Sequence, residues 1–139
     1  MNPPNALIGN WLGCKPPATE ADLLRIVERR LTPAVITRLI NLGFERSEID
    51  AVVIPLRTLQ HRRSHDGKLT IAESDRVLRV IRTVSFAESV YGTRQRALGW
   101  LRKPHPTLEG RTPLSLLKTD MGNRIVEELL VQIDQGMFV

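Results

Sequence analysis

The residue types best suited to chemistry are concentrated between positions 57 and 66, in the run RTLQHRRSHD. Ser64, His65 and Asp66 are the three residue types of a hydrolase triad, but here they are consecutive. A triad needs a hydrogen-bonded chain from Ser to His to Asp, and its members come from separate segments of a fold. Neighbouring residues in a turn point in different directions, so this run does not predict a catalytic triad.

Metal and cofactor sites are not indicated either. His61, His65 and His105 have no spacing typical of a zinc site, whether with one another or with Cys14. The chain also lacks a glycine-rich loop of the kind that cradles phosphates. We therefore expect a protein that is not an enzyme and that holds no metal or cofactor.

The same run carries polar residues that suit duplex DNA. Arginine can chelate guanine or grip a phosphate, glutamine can pair with adenine, and threonine can donate to a phosphate. Residues 47–63 have the layout of a helix-turn-helix, with a tight turn at Ile54-Pro55-Leu56 and small Ala51 at the centre of the first helix. The alternative is a solvated basic helix that only packs the fold. The candidate DNA-binding residues are Arg57, Thr58, Gln60, Arg62 and Arg63.

The charge composition of the chain agrees with a polyanion, such as nucleic acid, as its partner. The 139 residues include 20 Lys and Arg against 15 Asp and Glu, which gives a formal charge of +5. A basic surface suits nucleic acid first, although many proteins of this size carry similar charge for solubility alone. The single cysteine excludes an internal disulfide, and no signal peptide or apolar stretch of ~20 residues is present. We expect a cytoplasmic protein that does not enter a membrane.

Helix start and stop signals recur along the chain, and no strand pattern of period two accompanies them. Thr70 and Glu73 form a capping box that opens the longest helix, which should end at Gly92. The fold class is therefore all-α. We expect an irregular arm over residues 1–18, a helix-turn-helix and dimerisation domain over 19–91, and a small helical domain over 92–139.

Residues 100–117, WLRKPHPTLEGRTPLSLL, form a segment that we call the elbow. Its three prolines and Gly110 predict a bent connection that sets the last two helices at a defined angle. Part of its apolar surface should be core, with Trp100, Leu101 and Leu117 the first candidates. The remainder would be a docking surface whose fixed shape lowers the ordering cost of association.

Three segments together resemble a known family: RTLQHRR, KLTIAESDRVLRVIR, and the stretch from ALGWLRKPHP to QIDQGMF. They look like the Xre/MbcA/ParS antitoxins, specifically those of RES–Xre toxin–antitoxin pairs, and the likeness is strongest from residue 57 onward. The residues that carry it are Leu69, Glu73, Ser74, Arg76, Ala97, Trp100, Leu101, Pro104, Leu108, Gly110, Arg111, Thr112, Pro113, Thr119, Gly122, Val126, Glu127 and Leu130.

The resemblance implies an antitoxin of a type II system that covers the active site of a RES-domain toxin, an enzyme that consumes NAD. It also implies a homodimer whose N-terminal part binds the operon's own promoter DNA and represses it. The alternative is a helix-turn-helix transcriptional regulator with no toxin partner. The toxin-binding region would begin near Thr93, and its expected contacts are Trp100, Arg111, Gln135, Gly136, Met137, Phe138 and Val139.

The sequence departs from the family where the helix-turn-helix turn often has Gly-Ile, because Val53-Ile54 stand there instead. It also has His61 where an arginine is usual. A β-branched valine disfavours the positive φ that a turn glycine supplies, so we expect a reshaped turn. Sequence-specific DNA binding is therefore less secure than toxin binding.

Overall fold

The fold is described by a computed structural model for residues 5–65 and 67–136. Over these ranges the chain is helical and contains no strand, which confirms the all-α prediction. The helices are α1 (Asn5–Leu12), α2 (Glu20–Glu28), α3 (Ala34–Asn41), α4 (Arg46–Glu48) with a π-helical continuation (Ile49–Val53), α5 (Leu56–Ser64), α6 (Ile71–Tyr91), α7 (Arg94–Leu101), a 3₁₀ turn (Pro106–Leu108), α8 (Pro113–Leu116) and α9 (Asp120–Asp134).

The 21-residue helix α6 is the centre of the fold, and α1, α2, α7 and α9 all pack against it. Thr70 and Glu73 form the predicted capping box, in which each side chain accepts a hydrogen bond from the other's backbone N–H. The helix ends at Gly92, whose φ of +87° is the left-handed conformation that favours glycine. Local capping chemistry therefore fixes both ends of α6.

The core is one contiguous cluster that runs from α1 to α9 and is mainly aliphatic. Leu101 and Leu117 are fully buried in it, as expected, whereas Trp100 is only half-buried. α6 packs against helices that precede Gly92 in the sequence, α1 and α2, and against helices that follow it, α7 and α9. The two predicted domains therefore share this core. The boundary between residues 91 and 92 stays a prediction.

The prediction of an irregular arm over residues 1–18 is wrong for residues 5–12, which form α1. Ile8 and Trp11 are buried against the core, with 1% and 0% of their surface exposed. The Trp11 indole Nε1 donates to Glu88 Oε1 on α6 at 2.9 Å, and its ring meets Phe44 edge-on at 5.7 Å. Tertiary burial supplies the stability that a helix of eight residues lacks on its own.

The helix-turn-helix turn has a reshaped backbone that needs no positive φ. The π-helical segment keeps Val53 helical, and Ile54 then becomes extended at φ −154°. Asp50 Oδ1 accepts the Leu56 N–H at 2.8 Å and so caps α5, because Pro55 provides no capping side chain. Ala51, expected at a close helix contact, is exposed instead.

The burial of Trp11 gives a test of α1. Trp11→Ala should lower the free energy of unfolding by about 3–5 kcal/mol, because it removes a buried indole and leaves a cavity. Leu24→Ala is the control, since Leu24 is 58% exposed on α2, and it should cost less than about 1 kcal/mol. Chemical denaturation measures both, and equal small losses would mean that α1 does not dock.

Candidate functional site

The exposed face of α5 carries most of the polar residues predicted to meet DNA. Arg57, Gln60 and Arg63 are exposed, and Thr58 is half-buried. Buried Leu59 anchors the opposite side of the helix in the core. α5 therefore presents a guanidinium and an amide one turn apart, which are groups that read base edges or grip phosphate.

Arg62 differs from its neighbours because it is held in a bidentate ion pair. Its Nε and Nη2 donate to the two carboxylate oxygens of Glu73 at 2.9 and 2.8 Å, and both side chains are largely buried. The hydrogen bonds from Arg62, with the Thr70 N–H adding to them, lower the pKa of Glu73 below its usual 4.5 despite burial. Arg62 clamps α5 to the start of α6, and we withdraw it from the DNA-binding set.

The consecutive Ser64 and His65 do not form a hydrogen-bonded dyad. Ser64 Oγ donates to the Gln60 carbonyl at 2.9 Å, while His65 Nδ1 lies 2.9 Å from the His61 carbonyl. Asp66 lies outside the described residues. Within the described ranges, no three His, Cys, Asp or Glu side chains are grouped so that they could hold a metal ion.

The elbow folds back on itself beside α7. Trp100 stacks on Tyr91 with ring centroids 5.7 Å apart, and the ring of His105 lies edge-on to Trp100 at 6.5 Å. The His105 N–H donates to the Arg111 carbonyl, and the His105 carbonyl accepts the Gly110 N–H, both at 3.1 Å. Of the residues predicted to bind a toxin, Trp100 on α7 and exposed Arg111 thus both contact His105.

A second ion pair ties the elbow to the helix-turn-helix. At the end of α7, the Arg102 guanidinium donates to both Glu48 carboxylate oxygens at 2.8 Å and to the Gly43 carbonyl at 2.7 Å. Burial is the largest influence on the pKa of Glu48 and raises it, but the hydrogen bond and charge of Arg102, together with the Glu45 N–H, lower the pKa below its usual value. Sequence offered no signal for this pair, because 54 residues separate its members.

Helix α9 leaves apolar side chains in solvent. Val126 and Leu130 are fully buried, whereas Met121 and Ile125, one turn apart, are 66% and 41% exposed. We call Met121 and Ile125 the apolar strip. The sequence signal that could have predicted it is that α9 carries more apolar residues than one buried face needs.

The remaining predicted toxin contacts follow the end of α9. Gln135 and Gly136 are exposed there, and among the described residues no hydrogen bond or ring contact links them to Trp100 or Arg111. The other predicted contacts, Met137, Phe138 and Val139, lie outside the described residues.

Residues 86–136, from the C-terminal end of α6 through α9, match the family model described as the antitoxin Xre/MbcA/ParS C-terminal toxin-binding domain. The chain is 44% identical over 84 residues to Antitoxin Xre of Pseudomonas putida and 37% identical over 89 residues to Antitoxin Xre of Yersinia enterocolitica. Over this C-terminal range the chain is thus similar to the Xre/MbcA/ParS antitoxins.

The similarity to these family members is partial in length. The first two alignments cover 60% and 63% of this chain, but only 53% and 60% of the relatives. A third relative, the Prs ADP-ribosylating antitoxin of Sphingobium, is 24% identical over 132 residues, which is 87% of this chain and 83% of that protein. None of the helices in the described ranges is long and apolar enough to cross a membrane.

The Arg62–Glu73 pair predicts an acid-sensitive stability. A carboxyl whose pKa is lowered by folding stabilises the fold above its unfolded pKa and loses that contribution as the pH falls through its folded pKa. Glu73→Gln should lower the free energy of unfolding by about 2 kcal/mol at pH 7, and by progressively less as the pH falls through the lowered pKa of Glu73.

Denaturation curves at several pH values measure this difference, and Glu128→Gln, at an exposed position on α9, is the matched control. The control should change stability by less than about 0.5 kcal/mol at any pH. A Glu73→Gln effect that does not decrease at any pH down to the acid unfolding of the chain would contradict the ion pair.

Proposed function

We propose that the chain is the antitoxin of a type II toxin–antitoxin pair, and that it neutralises its toxin by binding over the active site. The observation that carries the proposal is the match of residues 86–136 to a toxin-binding domain. Those residues have a fixed shape, with Trp100 stacked on Tyr91, and an exposed apolar strip on α9. Half-buried aromatic and exposed apolar groups are suitable anchors for a protein interface.

The toxin that we propose as the partner is a RES-domain enzyme that degrades NAD. The support is the pattern of motifs from residue 57 onward, which resembles the antitoxins of RES–Xre pairs. The name of the Sphingobium relative links an antitoxin with ADP-ribosylation. A second candidate is therefore a toxin that transfers ADP-ribose from NAD to a target, and both toxins would cleave NAD.

Occlusion requires no chemistry from the antitoxin, only an interface that outcompetes substrate access. The elbow supports this role because its backbone is fixed: Glu109 and Gly110 take φ values of +57° and +78°, and Pro113 begins α8 in a buried position. A surface that is already ordered loses less entropy on binding. Trp100, Arg111, Gln135 and Gly136 are the contacts we propose, with Met137, Phe138 and Val139 as a tail that enters the cleft.

We also propose that the antitoxin represses its own operon as a homodimer. Exposed Arg57, Gln60 and Arg63, with half-buried Thr58, would meet promoter DNA, and a two-fold dimer would place two α5 helices about one DNA turn apart. A cytoplasmic location follows from this proposal, because promoter DNA and the NAD pool are there. The alternative remains a helix-turn-helix regulator with no toxin partner.

Co-expression tests the antitoxin proposal. The toxin encoded beside this gene should arrest growth when expressed alone, and the full chain should restore growth and co-purify with the toxin. Deletion of residues 134–139 should abolish rescue if the tail enters the active site. Full rescue by the truncated chain would refute the tail model and leave the helical surface as the inhibitor.

Two charge insertions test that helical surface in the same assay. Ile125→Glu should weaken rescue and reduce toxin affinity by at least ~10-fold, because it buries a carboxylate at an apolar contact. Leu24→Glu introduces the same charge at an exposed apolar position outside the matched domain, and it should leave rescue intact. Failure of the unmodified chain to rescue growth or to bind the toxin would reject the antitoxin proposal itself.

A mobility-shift assay on the upstream promoter tests repression. Arg57→Ala should weaken DNA binding by ~10-fold, and affinity should fall as salt rises, because arginine contacts to phosphates release counterions. Arg96→Ala removes an equally exposed charge on α7 and should have little effect. The repressor proposal fails if no shift occurs at low salt, with or without toxin.

A further inference from the structure

A charged cleft of about 250 Å³ lies between α6 and α9. Its walls alternate in charge, and the charged residues that line it are Arg79, Arg82, Arg124, Asp75, Asp120 and Glu127. Neither the helix-turn-helix nor the elbow contributes to these walls. We call it the α6–α9 cleft.

Arg79 is the unusual member of this cleft. Its Nε is buried and has no hydrogen-bond partner among the described residues. Its ion pair with Asp75 is long, at 3.7 Å, and Asp75 is 64% exposed whereas Arg79 is only 20% exposed. A buried donor without a partner lowers the stability of a fold, so Arg79 is not held in place by strong contacts of its own.

The other charged groups of the cleft are already engaged. Glu127 accepts from Asn123 Nδ2 at 3.0 Å and from Thr83 Oγ1 at 3.4 Å. Arg124 pairs with Asp120 one turn away at 3.2 Å, and Arg82 reaches Glu20 on α2 at 3.0 Å. These contacts hold the walls of the cleft in place, and the 3.7 Å pair of Arg79 with Asp75 is longer than the pairs made by Arg82 and Arg124.

We infer that the α6–α9 cleft binds the carboxylate of an acidic side chain of the toxin, with Arg79 as its main ligand. This inference rests on the proposed function. The planar arginine fork matches a carboxylate with two parallel hydrogen bonds, which are stronger than neutral ones and more so where water is excluded. With three arginines and three acids, the cleft is close to neutral and suits a singly charged carboxylate better than a dianionic phosphate.

The position of the cleft agrees with a toxin contact. One wall is α9, which belongs to the matched toxin-binding range, and Asp120 and Arg124 each precede a member of the apolar strip, Met121 and Ile125. A partner that covers the strip therefore passes the mouth of the cleft. An apolar contact with a charged anchor at its edge is a common arrangement in specific interfaces.

The test measures toxin affinity and melting temperature together for the full chain and three variants. Arg79→Met should weaken binding of the purified toxin by at least ~30-fold, and Arg79→Lys should fall between Met and the unmodified chain. Arg76→Met, three residues earlier and exposed on the same helix, should bind within ~2-fold of the unmodified chain.

The melting temperature separates a binding role from a structural one. Because Arg79→Met removes a buried donor without a partner, it should leave the melting temperature unchanged or raise it while affinity falls. A parallel loss of melting temperature and affinity would assign Arg79 a structural role and overturn the inference. Unchanged toxin affinity would overturn it too, even with the antitoxin function intact.

Two further outcomes are distinct from these. If Arg79→Met lost promoter binding but kept toxin binding, the cleft would be a phosphate contact and the inference would be wrong. If the unmodified chain bound no toxin, the proposed function would fail and this inference with it. Support is strongest if an Arg79→Glu variant regains affinity for a toxin in which one acidic surface residue is replaced by arginine.

Discussion

The burial of α6, which is complete around the helix at residues 83–87, is the constraint from which the rest of the architecture follows. A helix with ten buried residues in its 21 cannot stand at a surface, so other helices must cover it. α1, α2, α7 and α9 do so, and each is too short to be stable without that contact. The N-terminal and C-terminal parts are therefore two groups of helices built on a single central one, and neither has a core of its own.

This arrangement places two kinds of surface at a fixed distance. α5 is clamped to the start of α6 through Arg62 and Glu73, and α9 packs against α6, where the Thr83 hydroxyl donates to Asn123 Oδ1 at 2.6 Å. The polar face proposed to meet DNA and the apolar strip proposed to meet a toxin thus share one rigid support. Their relative position depends on the same packed side chains.

The sequence predicted the helix boundaries well because caps are local. Thr70, Thr93 and Thr119 each accept a backbone N–H three residues on, and Gly92 ends α6 in a conformation that glycine favours. The family resemblance added the proposed function and the approximate extent of the part that matches a toxin-binding domain. The fold class and the position of the elbow could also be predicted, because they too depend on local sequence signals.

Other features depend on partners far away in the chain and had no local signal. Trp11 looked like part of a proline-rich arm until α6 provided Glu88 as its hydrogen-bond acceptor. Arg62 is a residue type that suits a DNA contact, but its guanidinium forms an ion pair with Glu73 on another helix. The unpartnered donor of Arg79 likewise becomes visible only when α6 and α9 are placed side by side.

The Arg102 contacts have a mechanical consequence. One guanidinium joins the end of α7 to Glu48 and to the Gly43 carbonyl, and these lie where the chain turns from α3 into the first helix of the helix-turn-helix. A bound partner that tilts α7 or the elbow must either move that helix as well or break the three hydrogen bonds of Arg102. A force applied to α7 or the elbow would thus be transmitted to the first helix of the predicted helix-turn-helix through the Arg102 side chain.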